Sequence, residues 1–348
     1  MKFKFLGLLS LIGLTISLSS CNIKFVTSFE NINTQTSEGE TGGETGKDTP
    51  IEDEDPVIVN TFYAYNDFSR FEKSKECQSL YNDIVAACNT FAESKKDIVA
   101  EPIDISGDSQ EPQSFYVIDR VNFSKYNLTA KEAISVWRGV GLDHPEYYFL
   151  SGTILTSSDG TNNYLTLTLT SDYKDYSVRN EINTSISSFV NELNDQIIGT
   201  NNQGDKVKII NDFIVAKSDY AKKLDGTPET AEWAHNIVGI PTKGKGVCEA
   251  YAKLFNLLCR AFDLESILVI GDGITSSGTE AHAWNYVKID SKWYPIDVTW
   301  NDTTKTSNYF LTSASKFLTD HKADQTNSLD DTVNYLYVLP TLSETAYK

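Results

Sequence analysis

The sequence predicts an α+β fold. A helix opening at Cys248 packs on an antiparallel sheet that carries His282 and Asp297, behind an N-terminal extension of helices and a β-hairpin. Three observations predict it. Ala252, Phe255, Cys259 and Phe262 recur at helical spacing from Cys248. Ala281–Ile289 alternates as a strand does, then meets an Asp290-Ser291 turn and a returning run from Lys292. Upstream, apolar residues three and four apart fall on either side of two runs rich in Tyr, Leu and Thr.

Composition bounds the function. The 348 residues are 40% hydrophobic and 11% aromatic, enough to bury a core and to exclude wholesale disorder. Lys and Arg number 30 against 48 Asp and Glu, a net charge of −18. Nucleic acid is excluded as a partner through a basic face, because neutralising phosphates requires clustered cations. Five cysteines are too few for a disulfide scaffold.

Lys2 and Lys4 precede an apolar stretch, Phe5 to Leu18, and Leu18-Ser19-Ser20-Cys21 closes it. Residues 1–20 therefore read as a signal peptide. The cysteine after small residues resembles a bacterial lipobox. By that resemblance Cys21 is the lipidated start of a mature chain, lipid-anchored in the cell membrane and facing outside the cytoplasm. The alternative is ordinary cleavage near Ser20. Residues 21–56 read as a spacer: nine acidic residues stand against one lysine between Glu30 and Asp55, a composition that cannot offset chain entropy. No calcium-loop spacing interrupts it.

The body is expected to divide into an extension at 57–175 and a second domain at 176–348. Cys77, Leu80, Ile84, Cys88 and Phe91 mark a helix within 71–97. On a continuous helix Cys77 and Cys88 lie about 16 Å apart at ~1.5 Å per residue, too far to bridge. Thr129 and Glu132 form a capping box for a short helix through Trp137, closed by Gly139 and Gly141. Tyr147–Thr156 and Tyr164–Thr170 are the arms of a hairpin. Ile182, Ile186, Phe189, Val190, Leu193 and Ile197 mark a long helix; Val207, Ile210, Phe213, Ile214 and Tyr220 mark a second. Sequons at Asn122, Asn127, Asn183 and Asn301 are expected by chance in a chain so rich in Asn, Ser and Thr.

Cys248 sits in the first turn of its helix behind Lys243-Gly-Lys-Gly246. Helix N-termini favour negative charge, and a thiolate is the nucleophile that such a position stabilises. Taken alone, the position of Cys248 favours a small core residue opening an apolar stripe. A two-residue turn at Asp290-Ser291 sets Ile289 opposite Lys292 and Asp297 opposite Trp284. His282 and Asp297 are then diagonal neighbours on one face. Thiol, imidazole and carboxylate together have the logic of a nucleophilic triad.

Gly246-Val-Cys-Glu-Ala-Tyr-Ala252, Ala281-His-Ala-Trp-Asn285 and Trp293-Tyr-Pro-Ile-Asp-Val-Thr-Trp-Asn-Asp302 resemble the signature blocks of the transglutaminase-like superfamily, with Cys–His and His–Asp separations of 34 and 15 residues. Tyr309-Phe-Leu-Thr312 and Phe317-Leu-Thr-Asp-His321 resemble the segment trailing the core in bacterial members, and Asp143–Phe149 the usual upstream extension. Val298 and Ala250 depart from the commoner proline and glycine while leaving the reactive groups in place.

The resemblance implies a papain-like, transglutaminase-like core, with Cys248 as nucleophile, His282 as general base and acid, and Asp297 orienting His282. It also implies an oxyanion donor in the Cys248 N–H, with Trp233 or His235 as the second. Trp284 reads as a shield over the site and Cys259 as core; His144 and His321 find no placed partner. No zinc spacing and no cofactor are implied. The implied activity is a thioester mechanism on protein or peptide amides, with hydrolysis favoured. Amine transfer and a non-catalytic binding module of the same fold are the alternatives.

Overall fold

A computed structural model of the chain describes residues 62–103, 112–324 and 337–348. The signal peptide, Cys21 and the acidic spacer lie outside the described residues. In chain order the elements are α1 (Tyr63–Asp67), α2 (Ser74–Glu93), β1 (Glu101–Ile103), β2 (Gln113–Asn122), α3 (Ala130–Asp143), β3 (Leu155–Ser158), β4 (Asn163–Leu169), α4 (Tyr176–Ile197), α5 (Gln203–Lys217), β5 (Asp219–Tyr220), α6 (Gly239–Lys243), β6 (Lys245–Gly246), α7 (Cys248–Ala261), β7 (Ser266–Thr275), β8 (Gly278–Ile289), β9 (Lys292–Ile296), α8 (Val298–Thr303), α9 (Ala314–Phe317) and β10 (His321–Ala323). Among the described residues no helix is long and apolar enough to cross a membrane.

Two four-stranded antiparallel sheets organise these elements, ordered β1-β2-β4-β3 and β10-β7-β8-β9, while β5 and β6 form a short parallel pair. The second sheet carries the site. Asp290 and Ser291 both adopt positive φ, 48° and 66°, as a two-residue hairpin turn requires. The resulting register sets Ile289 against Lys292 and Asn285 against Ile296, the pairing expected from the sequence. Alternation along β8 then sends Val287 and Ile289 into the larger core, and Trp284 and Tyr286 into a second cluster with Ile267, Val269 and Phe317.

The larger core is continuous from the N-terminal elements into the C-terminal half, joining Leu80 and Ile84 of α2, Trp137 of α3, Leu165 of β4, Phe189 of α4, Ile210 of α5 and Phe255 of α7. Helix α7 is buried on nearly every side, which explains its apolar composition. Its Cys259 is core, as are Cys77 and Cys88, and none of these thiols is in a disulfide.

Four readings of local pattern are corrected. Helix α3 starts at the Thr129–Glu132 capping box but does not end at the glycines; it runs to Asp143. Gly139 is there for close packing, since a Cβ would meet the Phe68 ring at 2.7 Å. The Asp143 carboxylate ties α3 to the N-terminal helices by accepting from the Ala64 and Tyr65 N–H groups and the Tyr81 hydroxyl. The first hairpin arm is interrupted: Tyr147–Leu150 turns on itself and bridges β4 only through Leu150 and Leu169, and the regular strand is confined to Leu155–Ser158. Tyr220 is not helical, because α5 stops at Lys217 and Tyr220 pairs with Gly246. The returning strand ends at Ile296, where Asp297 begins α8.

Candidate active site

Cys248 is delivered by a tight approach. The Ala221 N–H donates to the Gly246 carbonyl at 2.8 Å, and the Val247 N–H to the Ala234 carbonyl at 2.8 Å. A Cβ on Gly246 would meet that of Ala250 at 2.7 Å, so only glycine lets β6 run this close to α7. The thiol is half-buried at the helix start, whereas Cys77, Cys88 and Cys259 are buried. Burial pushes the Cys77 thiol up to about 12, and those of Cys88 and Cys259 further up.

His282 and Asp297 meet as the hairpin register requires, with Nε2 and Oδ2 2.8 Å apart. Both side chains are buried, at 4% and 0% exposure. The Cys248 thiol lies beside the same imidazole, close enough to raise its pKa. With Nε2 facing Asp297, Nδ1 is the nitrogen left for the thiol. Burial would lower the His282 pKa, but the Asp297 charge and hydrogen bond, with the contact to Cys248, raise it to about 10. Burial likewise opposes ionisation of Asp297, and the charge and hydrogen bond of His282, joined by His321, outweigh it and hold the carboxyl at about 2. The Trp300 indole stacks on His282 at 5.0 Å between centroids.

Of the residues singled out in the sequence, Cys248, His282 and Asp297 come together. Trp284 is buried beneath them, 5.9 Å from the His282 ring and edge-on to His321 at 4.9 Å. Trp233 packs with Tyr220, Ala234 and Val247, beside the approach to Cys248. His235 is engaged elsewhere: Nδ1 contacts Glu249 Oε2 at 3.1 Å and Nε2 contacts the Glu229 carbonyl at 3.0 Å, so neither nitrogen is left for an oxyanion. His144 lies away from the site and does have a partner, with Nδ1 2.8 Å from Glu146 Oε1; Glu146 in turn pairs with Arg260.

Two residues enter that local pattern did not place. Tyr220 lies beside Cys248. His321 is fully buried beside Asp297, its Nε2 3.2 Å from Oδ2 and its Nδ1 2.8 Å from Asp320 Oδ1. The available signal for His321 was its place in the trailing Phe317–His321 segment. Ligand atoms of His282, Asp297 and His321 lie within 4.8 Å of one another, the one such trio among the described residues. At 2.8 and 3.2 Å the nitrogens and Oδ2 are in direct hydrogen-bonding contact, the spacing of a polar network rather than of ligands spread around an ion.

Residues 191–298 match the family model of the transglutaminase-like superfamily. Mouse kyphoscoliosis peptidase is 28% identical over 163 residues, covering 41% of this chain and 24% of the relative. The human protein of that name is 33% identical over 99 residues, covering 23% and 15%. The chain thus spans no more than 24% of the length of these curated relatives. Among solved structures, a transglutaminase is similar at 17% identity and a TM-score of 0.27, over 43% of this chain and 45% of that one. The periplasmic domain of TgpA from Pseudomonas aeruginosa is similar at 15% identity and a TM-score of 0.27, over 44% and 64%.

Proposed function

From the match of residues 191–298 to the transglutaminase-like family model, we propose that the protein is a thiol enzyme that cleaves protein or peptide amides through a Cys248–His282–Asp297 triad. The observation that carries this reading is the position of His282, beside the Cys248 thiol on one side and hydrogen-bonded to the Asp297 carboxylate on the other.

The chemistry follows from that order. The Cys248 thiolate attacks the carbonyl carbon, forming a C–S bond and placing negative charge on the carbonyl oxygen. The Cys248 N–H, at the positive end of α7, donates to that oxygen, and the neighbouring Tyr220 hydroxyl is the second donor. His282 gives its Nδ1 proton to the departing amine as the C–N bond breaks, leaving a thioester. Water then attacks the thioester carbonyl as His282 takes a proton from it, and the acid and free thiol are regenerated. Asp297 stays ionised and keeps the imidazolium oriented. Hydrolysis is the proposed outcome because water needs no second-substrate channel. We further propose that the protein is tethered through a lipid on Cys21 and the 21–56 spacer, which places the site outside the cytoplasm.

The test offers glutamine-containing and ordinary peptides with and without a fluorescent primary amine. Hydrolysis yields fragments or ammonia that do not require the amine. Amine incorporation instead identifies a transferase. Binding that survives Cys248→Ala without turnover identifies a non-catalytic module. Cys21→Ala should abolish detergent partitioning or block processing, and unchanged membrane retention would refute the tether.

A further inference from the structure

A second histidine is built onto the triad carboxylate. We propose that His321 is a positioning residue that, by donating from Nε2 to Oδ2 of Asp297 at 3.2 Å, fixes the carboxylate in the orientation that holds His282 toward Cys248. This inference rests on the triad reading above.

His321 is closely confined. It is fully buried, and its ring stacks on Phe317 at 3.9 Å between centroids, with Trp300 at 4.4 Å and Trp284 at 4.9 Å closing the remaining sides. Strand β10 anchors its backbone to β7, with His321 opposite Gly273. Its far nitrogen, Nδ1, lies 2.8 Å from Asp320 Oδ1, and Asp320 Oδ2 accepts from the Tyr309 hydroxyl at 3.0 Å. A hydrogen-bonded relay thus runs from the surface inward through Tyr309, Asp320, His321 and Asp297 to His282.

An aromatic cage of this kind would be filled more cheaply by another apolar ring, because a buried imidazole is tolerated only when its nitrogens are satisfied. What the imidazole adds is a directed donor. Asp297 Oδ1 is held by the Trp300 N–H at 3.0 Å, and Oδ2 is shared by His282 and His321. Without His321 the carboxylate keeps one donor on each oxygen and gains freedom to rotate. Misplacing a reacting group by about 1 Å is enough to cost on the order of 10²-fold in rate.

Iodoacetamide alkylation of Cys248 in the full chain, followed by peptide mapping at fixed near-neutral pH, tests this without a known substrate. His321→Leu should slow alkylation by roughly tenfold or more. His321→Gln, whose amide N–H replaces the donor, should restore most of the rate. In an Asp297→Ala background, His321→Leu should add nothing, because its effect passes through the carboxylate. Should the leucine variant not fold, Asp320→Ala makes the same test at a side chain 28% exposed. It removes the acceptor that orients Nδ1, and should slow alkylation in the wild-type background only. Equal slowing in both backgrounds, unchanged rates in folded His321→Leu or Asp320→Ala, or a folded His321→Gln that restores nothing would overturn the proposal. Alkylation unaffected by Asp297→Ala alone would overturn the triad reading, and the role of His321 with it.

Discussion

The backbone N–H of Trp300 donates to Asp297 Oδ1 at 3.0 Å, so the carboxylate that faces His282 through Oδ2 is also the N-cap of helix α8. One side chain ends β9, starts α8 and orients the imidazole. Its two roles separate by substitution. Asn caps a helix about as well as Asp but lacks the charge that stabilises an imidazolium. Asp297→Asn should therefore keep the cap and lose only the stability that the charge pair with His282 supplies, while turnover falls by roughly two to four orders of magnitude. Asp297→Ala should lose activity and, in addition, about 1 kcal/mol of stability from the missing cap. Denaturant unfolding alongside turnover checks both.

The same pair gives stability a defined pH dependence. His282 is raised from 6.5 to about 10, so its contribution is complete below pH 6.5 and is lost as pH rises through about 10. Asp297 is lowered from 3.8 to about 2, so its contribution is complete above pH 3.8 and is lost as pH falls through about 2. Both act in full between pH 3.8 and 6.5. Thermal unfolding from pH 6.5 to 10 should show a decline that is reduced in His282→Ala; an identical decline in both proteins would disprove the linkage.

Cys248 differs from the other described cysteines in both exposure and partner. Iodoacetamide at near-neutral pH should label it at least about tenfold faster than Cys77, Cys88 or Cys259 in folded protein. Unfolding in urea should equalise the four. Similar slow rates in the folded state would return Cys248 to the role of a core residue.

Glu249 anchors a buried charge cluster directly behind the nucleophile. Oε1 lies 2.8 Å from Lys253 Nζ and Oε2 lies 3.1 Å from His235 Nδ1, with the Lys253 side chain only 1% exposed. Glu249→Leu leaves the lysine with too little compensating charge and should destabilise the fold by about 3 kcal/mol. Adding Lys253→Met should recover much of that loss, because the buried cation is then gone. A double variant as unstable as Glu249→Leu would place the energy elsewhere.

The sequence alone determined whatever depends on short, periodic spacing. Cys248 at a helix start follows from the apolar stripe behind it. The meeting of His282 with Asp297 follows from a two-residue turn, because side chains alternate with period two and one turn length fixes the parity of both strands. Family resemblance tied the three residues to a thiol chemistry. Tertiary structure decided what depends on packing between distant segments. Gly139 and Gly141 look like helix stops in sequence, but the helix continues to Asp143, and Gly139 admits the close approach of Phe68. Tyr220 continues a helical spacing on paper, whereas its pairing with Gly246 carries it beside Cys248. His235 gained Glu249 and Glu229 as partners, which local pattern does not reveal. His321 reaches Asp297 only because β10 crosses back to pair with β7, beyond the hairpin that joins β8 to β9. Periodicity encodes the direction of a side chain relative to its near neighbours. It carries no information on which remote strand will lie alongside, and that is settled by burial of the Trp284, Phe317 and Trp300 rings around the second histidine.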